Sequence, residues 1–183
     1  MKIASNLKKF YQYAFPMQAA LVTCKDKQRE ANIITVAWHT PISVNPSLYG
    51  VSISPKRHSH KLIVNSKEFV VNFAPIEIIE KIHYCGTHSG RSINKVKETG
   101  LSLIPATKID TPLIKECYAH LECKLIDIIK LGDHSFLVGE VVAVDANKNT
   151  FEKDILKIDK VKPIYYLGEN TYTTLNERII KKF

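Results

Sequence analysis

Short β-branched apolar runs, bounded by turn residues and not alternating regularly with helices, constrain this chain more than any other feature. Ala19–Cys24, Asn32–Trp38, Leu48–Ser54 and Phe69–Phe73 each read as a strand, the third ending at Pro55. Asp26–Glu30 reads as the turn that folds the first two into a hairpin. His120–Ile129 and Phe136–Asp145, joined by Lys130–Ser135, read as a second, longer hairpin, and Pro163–Leu167 as a last strand. Helical signals are fewer and shorter. Ser59 is expected to cap a helix over His60–Asn65. Ile76, Ile79 and Ile82 recur every third residue behind Pro75. Ser92 is expected to cap Ile93–Glu98, with Gly100 beyond its end. A doubly wound nucleotide fold needs strands and helices in alternation, which this chain lacks. The pattern predicts a mainly β (α+β) architecture, a β-barrel with short helical inserts.

No linker, repeat or low-complexity tract divides the 183 residues, so a single domain over 1–183 is expected. The net charge is +8, yet only four of the 26 basic residues are arginine: Arg29, Arg57, Arg91 and Arg178. Arginine supplies the forked donors that nucleic-acid sites favour. The lysines are spread out, with small clusters at Lys8–Lys9 and Lys181–Lys182, and read mostly as solvated surface. No nucleic-acid partner is expected, although the positive field would draw in an anionic nucleotide. The four cysteines, at 24, 85, 117 and 123, form no CxxC pair and read as free thiols in a reducing compartment. The first ten residues lack the apolar stretch of a secretory signal. No apolar run approaches the roughly 18 residues of a membrane span. A cytoplasmic protein without a membrane partner is therefore expected.

Four short constellations could carry chemistry. In Ser54–Lys61 (Ser-Pro-Lys-Arg-His-Ser-His-Lys) a strand ends, a basic loop follows and a helix opens. A helix start offers unpaired N–H groups to a phosphate, and Arg57 and Ser59 could add donors. The same residues also suit an ordinary capped helix in a solvated loop, and local pattern alone does not separate the two. His83–Lys95 contains His83, Cys85 and His88, but their spacing matches no metal-ligand pattern, so no metal is expected. Within it, Ser89–Ser92 offers a second anion-favouring turn, with Lys95 just beyond. Trp38, the only tryptophan, is a core aromatic or a contact to a bound ring. His134, beside Gly132 and Asp133, is an exposed turn residue or faces a ligand. The motifs GxSxG, HExxH, GxxxxGK[ST] and GxGxxG are absent. A Cys/His nucleophile pair stays open, without a family signature around any cysteine.

In their order, six stretches resemble the flavin reductase-like FMN-binding domain, and its flavoredoxin branch most. They are Asn32–Trp38, Ser52–His60, Phe69–Asn72, Cys85–Arg91 with Lys95, Leu121–Cys123, and Gly132–His134 followed by Val138–Val141. The resemblance spans roughly residues 12–170 and implies a split β-barrel homodimer holding FMN non-covalently near the dimer interface. It places Asn32, Thr35 and Trp38 along the flavin. It seats the phosphate on the stretch beginning at Ser54, held by Arg57 and Ser59. Lys95 would add charge, His134 would approach from the hairpin tip of either subunit, and Tyr166 would lie near the cofactor. His58 and His60 have no assigned role. The flavin would supply the redox chemistry, so no amino-acid catalyst is required. The implied activity is an oxidoreductase passing electrons from NAD(P)H or a protein donor to flavin, ferric iron or an acceptor protein. The alternative is a non-catalytic electron-transfer or flavin-carrier module.

Overall fold

Seven strands form one antiparallel sheet whose two edge strands are neighbours in the chain. The computed structural model describes residues 6–26 and 30–176. In chain order the strands are β1 (Met17–Gln18), β2 (Ala20–Lys25), β3 (Ala31–Val36), β4 (His39–Ser43), β5 (Leu48–Ile53), β6 (Glu68–Phe73), β7 (Leu103–Ile104) and β8 (Leu113–Ile114). They continue with β9 (Ala119–Leu131), β10 (His134–Ala146), β11 (Phe151–Glu152), β12 (Ile155–Leu156), β13 (Ile164–Gly168) and β14 (Thr171–Thr174). The helices are α1 (His58–Ser66), α2 (Ile79–Thr87) and α3 (Lys95–Thr99), with 3₁₀ segments at Leu7–Ala14 and Ile76–Ile78.

The large sheet runs β3-β2-β6-β9-β10-β5-β4. Only Ala37 and Trp38 separate its two edge strands, and the Ser52 N–H on β5 donates to the Trp38 carbonyl at 2.8 Å. A seven-stranded sheet can have its edges joined by two residues only if it rolls up on itself. The result is a β-barrel with helical inserts, as the spacing of the runs predicts, and a split one, as the family resemblance implies.

The barrel interior holds Ala20, Val22 and Cys24 of β2, with Val51 and Ile53 of β5, Phe69 and Val71 of β6, and Leu137 of β10. Leu62 and Ile63 of α1 plug the same core. The odd-numbered neighbour Leu21 and Ile33 of β3 point outward and pack under Ile82 and Cys85 of α2. β2 is thus covered on both faces, which explains its unbroken apolar run.

Several local expectations change. The Asp26–Glu30 turn closes with Asp26 N–H to the Glu30 carbonyl at 3.0 Å, while residues 27–29, like the Lys181–Lys182 cluster and residues 1–5, lie outside the described residues. β3 ends at Val36, not Trp38. β4 does not stand out in the sequence because Pro41 interrupts it; the strand lies at the sheet edge, where a missing N–H costs no ladder bond. The second hairpin turns on Gly132–Asp133 alone, with Gly132 at φ 59°, so His134 opens β10 rather than sitting in a loop. Ser59 does not cap α1. Arg57 N–H bonds the Ser54 carbonyl at 2.9 Å, which sets Arg57 as the extended residue before a helix that starts at His58. Likewise Asn94, not Ser92, caps α3, its side chain accepting from Lys97 N–H at 3.0 Å.

Residues 107–114 are pinned across the outside of the barrel by side chains of the sheet. Glu122 of β9 is fully buried and accepts from Thr107 N–H at 2.7 Å, Thr107 Oγ1 at 2.9 Å and Lys108 N–H at 2.7 Å. Asn72 of β6 accepts from Ile114 N–H at 2.9 Å and donates to the Leu21 carbonyl at 3.0 Å. Burial opposes ionisation of Glu122, but the N–H donors of Thr107 and Lys108 outweigh it and hold its pKa below the ordinary value. A carboxyl with a depressed folded pKa stabilises above its unfolded pKa and loses that contribution as pH falls through the folded one. Glu122→Ala is expected to cost about 3 kcal/mol in urea unfolding near neutral pH. The difference from wild type should shrink in acid below the ordinary carboxyl value of 4.5.

Candidate functional site

The cleft opens where the barrel is split. β3 enters it, Ala37–Trp38 cross it, and the end of β5 leads through Ser54 into α1. Three adjoining cavities follow this path, and Arg57 lines all of them. The first, about 190 Å³, is lined by Thr35, Trp38, Ser54 and His134 among others. The second, about 80 Å³, is enclosed by Lys56, Arg57, Ser59, Ser89, Gly90 and Lys95 with their neighbours. The third, about 260 Å³, reaches Thr87, Tyr166, Asn170 and Tyr172.

Each side chain has a structural reason for its position. Trp38 sits in the link between the sheet edges, 5.1 Å between ring centroids from His134 and 5.6 Å from Tyr11. His134 is held in turn by Asp133 Oδ1 at 2.8 Å from its Nδ1. It reaches the cleft of its own chain. Thr35 Oγ1 donates to the Ile82 carbonyl at 2.5 Å, tying β3 to α2. Gly86 of α2 lies directly against Thr35, where an added Cβ would come within 3.3 Å of the Thr35 Cβ. Tyr166 of β13 meets Phe15 edge to face and Tyr172 at a tilt, and its hydroxyl accepts from Asn170 N–H at 3.3 Å.

The small cavity is strongly cationic. Arg57 has no acidic partner among the described residues. Helix geometry leaves the first N–H groups of α1, at His58 and Ser59, without carbonyl partners in the helix. His58 borders the cavity with its pKa lowered, first by burial and then by Arg91, Lys61 and Lys95, against a smaller opposing pull from Asp26. Arg91 crosses from the 88–94 loop and donates to the Lys56 carbonyl at 3.1 Å, joining the two loops that form the walls. His60 lies on α1 with its Nε2 buried and without a hydrogen-bond partner.

Two expected contact residues are nearly buried. Asn32 is only 7% exposed, lines a neighbouring cavity of about 260 Å³ with His58, Gly90, Arg91 and Lys95, and donates from Nδ2 to Ser59 Oγ at 2.7 Å. Lys95 is 4% exposed, and its Nζ donates to the carbonyls of Ile33 at 2.8 Å and Cys85 at 2.7 Å. The lysine thus joins β3 to α2 as well as bringing charge to the small cavity. The sequence reading missed Thr87, Asn170 and Tyr172, for they carry no motif and meet the cleft only through the fold. Ser89 was legible as part of an anion-favouring turn.

Among the described residues, no cysteine is poised as a nucleophile. All four cysteines are buried, and burial pushes the thiols up, Cys24 and Cys85 to about 11. Among the described residues, no three His, Cys, Asp or Glu side chains converge as a metal site. Burial is also the main cause that lowers the Lys95 pKa. Its folded form therefore releases a proton before the unfolded chain does, and stability rises with pH up to the ordinary value near 10.5. Lys95→Met should cost about 2 kcal/mol in chemical unfolding near neutral pH through two lost hydrogen bonds. Its deficit relative to wild type should widen as the solution is made alkaline.

Comparison with known proteins agrees with this architecture. Residues 12–174 match the model of the flavin reductase like domain. An uncharacterized protein of Pyrococcus abyssi is 37% identical over 142 residues, covering 78% of this chain and 81% of that protein. An FMN-binding protein from Thermus thermophilus, solved with bound 1-cyclohex-2-enone, superposes with a TM-score of 0.83 at 28% identity, covering 100% of this chain and 98% of that one. Flavoredoxin of Desulfovibrio vulgaris (Miyazaki F) superposes with a TM-score of 0.88, covering 100% and 98% of the two chains, and at 24% identity attests the shared fold alone. With its split barrel and a family match over most of its length, the chain belongs to the flavin reductase-like family.

Proposed function

We propose that this protein is an FMN-dependent oxidoreductase whose cofactor lies along the three cavities, with its phosphate in the small cationic one. The observation that carries the reading is the meeting of those cavities at Arg57, a guanidinium without an acidic partner among the described residues. The donor set suits a phosphate monoester: Ser59 Oγ, the Arg57 fork and the unpaired N–H groups at the start of α1. The first cavity, lined by Trp38 and His134 among others, suits a flat ring. When bound, FMN supplies the two-electron redox chemistry.

The chain's own residues would then hold and shield. Arg57 and Ser59 bind the phosphate, with Ser54 shaping the turn that aims Arg57. Lys95 adds positive charge from behind the small cavity. Thr35 and Trp38 border the ring, and Trp38 with His134 excludes water from its edge. Tyr166 stands at the third cavity, with room there for an electron donor or acceptor. No protein nucleophile takes part, in keeping with buried thiols raised to about 11 and above.

The proposal extends to a homodimer in the cytoplasm. The exposed apolar residues Ile126, Ile129 and Leu131 of β9 support association. Four free cysteines suit a reducing compartment. The donor is proposed to be NAD(P)H or a reduced protein, and the acceptor flavin, ferric iron or a partner protein.

Two measurements test this reading. Ser59→Ala and Arg57→Ala should each weaken FMN by about tenfold or more and leave riboflavin nearly unchanged, since the lost bonds go to a charged group. Equal losses for both ligands would refute the phosphate seat. In anaerobic stopped flow, NADH or NADPH should bleach the flavin band of the loaded protein rapidly. Bleaching only by a reduced protein would instead support the electron carrier.

A further inference from the structure

Ser59 has one hydroxyl proton and two lone pairs, so its neighbours decide whether it offers a donor or an acceptor to the small cavity. Asn32 decides it. The Asn32 amide Nδ2 donates to Ser59 Oγ at 2.7 Å, in a nearly buried pair of which Ser59 lines the cavity. That bond occupies a lone pair of Oγ, so its proton turns either to the neighbouring Cys24 sulfur, which Ser59 also reaches, or to a ligand in the cavity.

The amide is itself held in one orientation. Cys24 Sγ lies 3.7 Å from the same Nδ2 and gives its own proton to the Asn32 backbone carbonyl at 3.6 Å. The sulfur therefore presents lone pairs to Asn32. Turning the amide over would set its oxygen against those lone pairs, without a proton between them. Gly90 closes the other side: a methyl group at that position would overlap Asn32 Oδ1. Asn32 thus always donates to Ser59 Oγ, and the Ser59 proton is left to point at the Cys24 sulfur or into the cavity.

We infer that Asn32 is a positioning residue that fixes Ser59 as a hydrogen-bond donor and so makes the small cavity selective for an anionic phosphate monoester. The inference rests on the reading of this cleft as a flavin site with its phosphate at Ser59. A carboxylate at position 32 would accept the Ser59 proton, reverse the polarity and turn an oxygen lone pair toward the phosphate. Truncation to alanine would free the hydroxyl to rotate and would still allow it to donate, at the cost of its orientation.

The test measures dissociation constants for FMN and riboflavin with Asn32→Asp and Asn32→Ala, each made alone and together with Ser59→Ala. Asn32→Asp should reduce the preference for FMN by about 10- to 100-fold when Ser59 is present. It should reduce it distinctly less together with Ser59→Ala, where only the added negative charge remains. Asn32→Ala should lower the preference by a smaller factor with Ser59 present and not at all with Ser59→Ala. Where Asn32→Asp does not fold, this alanine pair carries the test. Equal losses in the two backgrounds would overturn the inference, since packing or charge alone would then explain them. A wild-type preference for FMN that ignores every change at Asn32 would overturn the inference and leave the phosphate seat standing. A wild type that binds both flavins equally would overturn the two together.

Discussion

The two-residue link Ala37–Trp38 is the constraint on which the rest depends. It joins the opposite edges of a seven-stranded sheet, so the sheet must close. Closure leaves a split at which β3, the end of β5 and the start of α1 meet. Trp38 is held there because its carbonyl accepts the bond that seals the seam. The cleft is therefore a consequence of barrel closure, and each of its walls belongs to an element that the core already fixes.

The charge of the small cavity depends on that rigidity. Arg57, His58 and Lys95 converge with little acidic compensation, and Lys95 is buried at a cost that two backbone carbonyls offset. Positive groups are held close together only where the fold leaves them no other place. Asn32 and Thr35, on opposite faces of β3, and Gly86 and Gly90, in α2 and in the loop that follows it, bring the backbone close enough to hold them. An anion would relieve the repulsion among these groups, which ties the electrostatics of the cavity to the proposed cofactor.

The sequence carried the strand runs, the barrel and the Ser54–Lys61 loop, because β-branched patterning and turn residues are local signals. It did not carry the directions of side chains. Ser59 looked like a helix cap, yet its hydroxyl faces Asn32 on another strand. Asn32 and Lys95 looked like ligand contacts; both border cavities, but their side chains are nearly buried and tied to neighbouring elements as well. The stretches ending at Asn72 and containing Glu122 match the family pattern, and no local signal in them shows why. Their side chains anchor residues 107–114, so they belong to the architecture. β4 was hidden by Pro41, which only an edge position tolerates. Each of these required contacts between residues distant in sequence, which no local pattern encodes.

The central claim is that a flavin phosphate sits, fully charged, among Ser59, Arg57 and the start of α1. Phosphorus-31 NMR of the protein loaded with FMN tests it most directly. The bound phosphate resonance should differ from that of free FMN and should stay constant through the pH region near 6 where a free phosphate monoester titrates. A bound flavin whose phosphorus signal titrates like free FMN would place the phosphate in solvent and contradict the account.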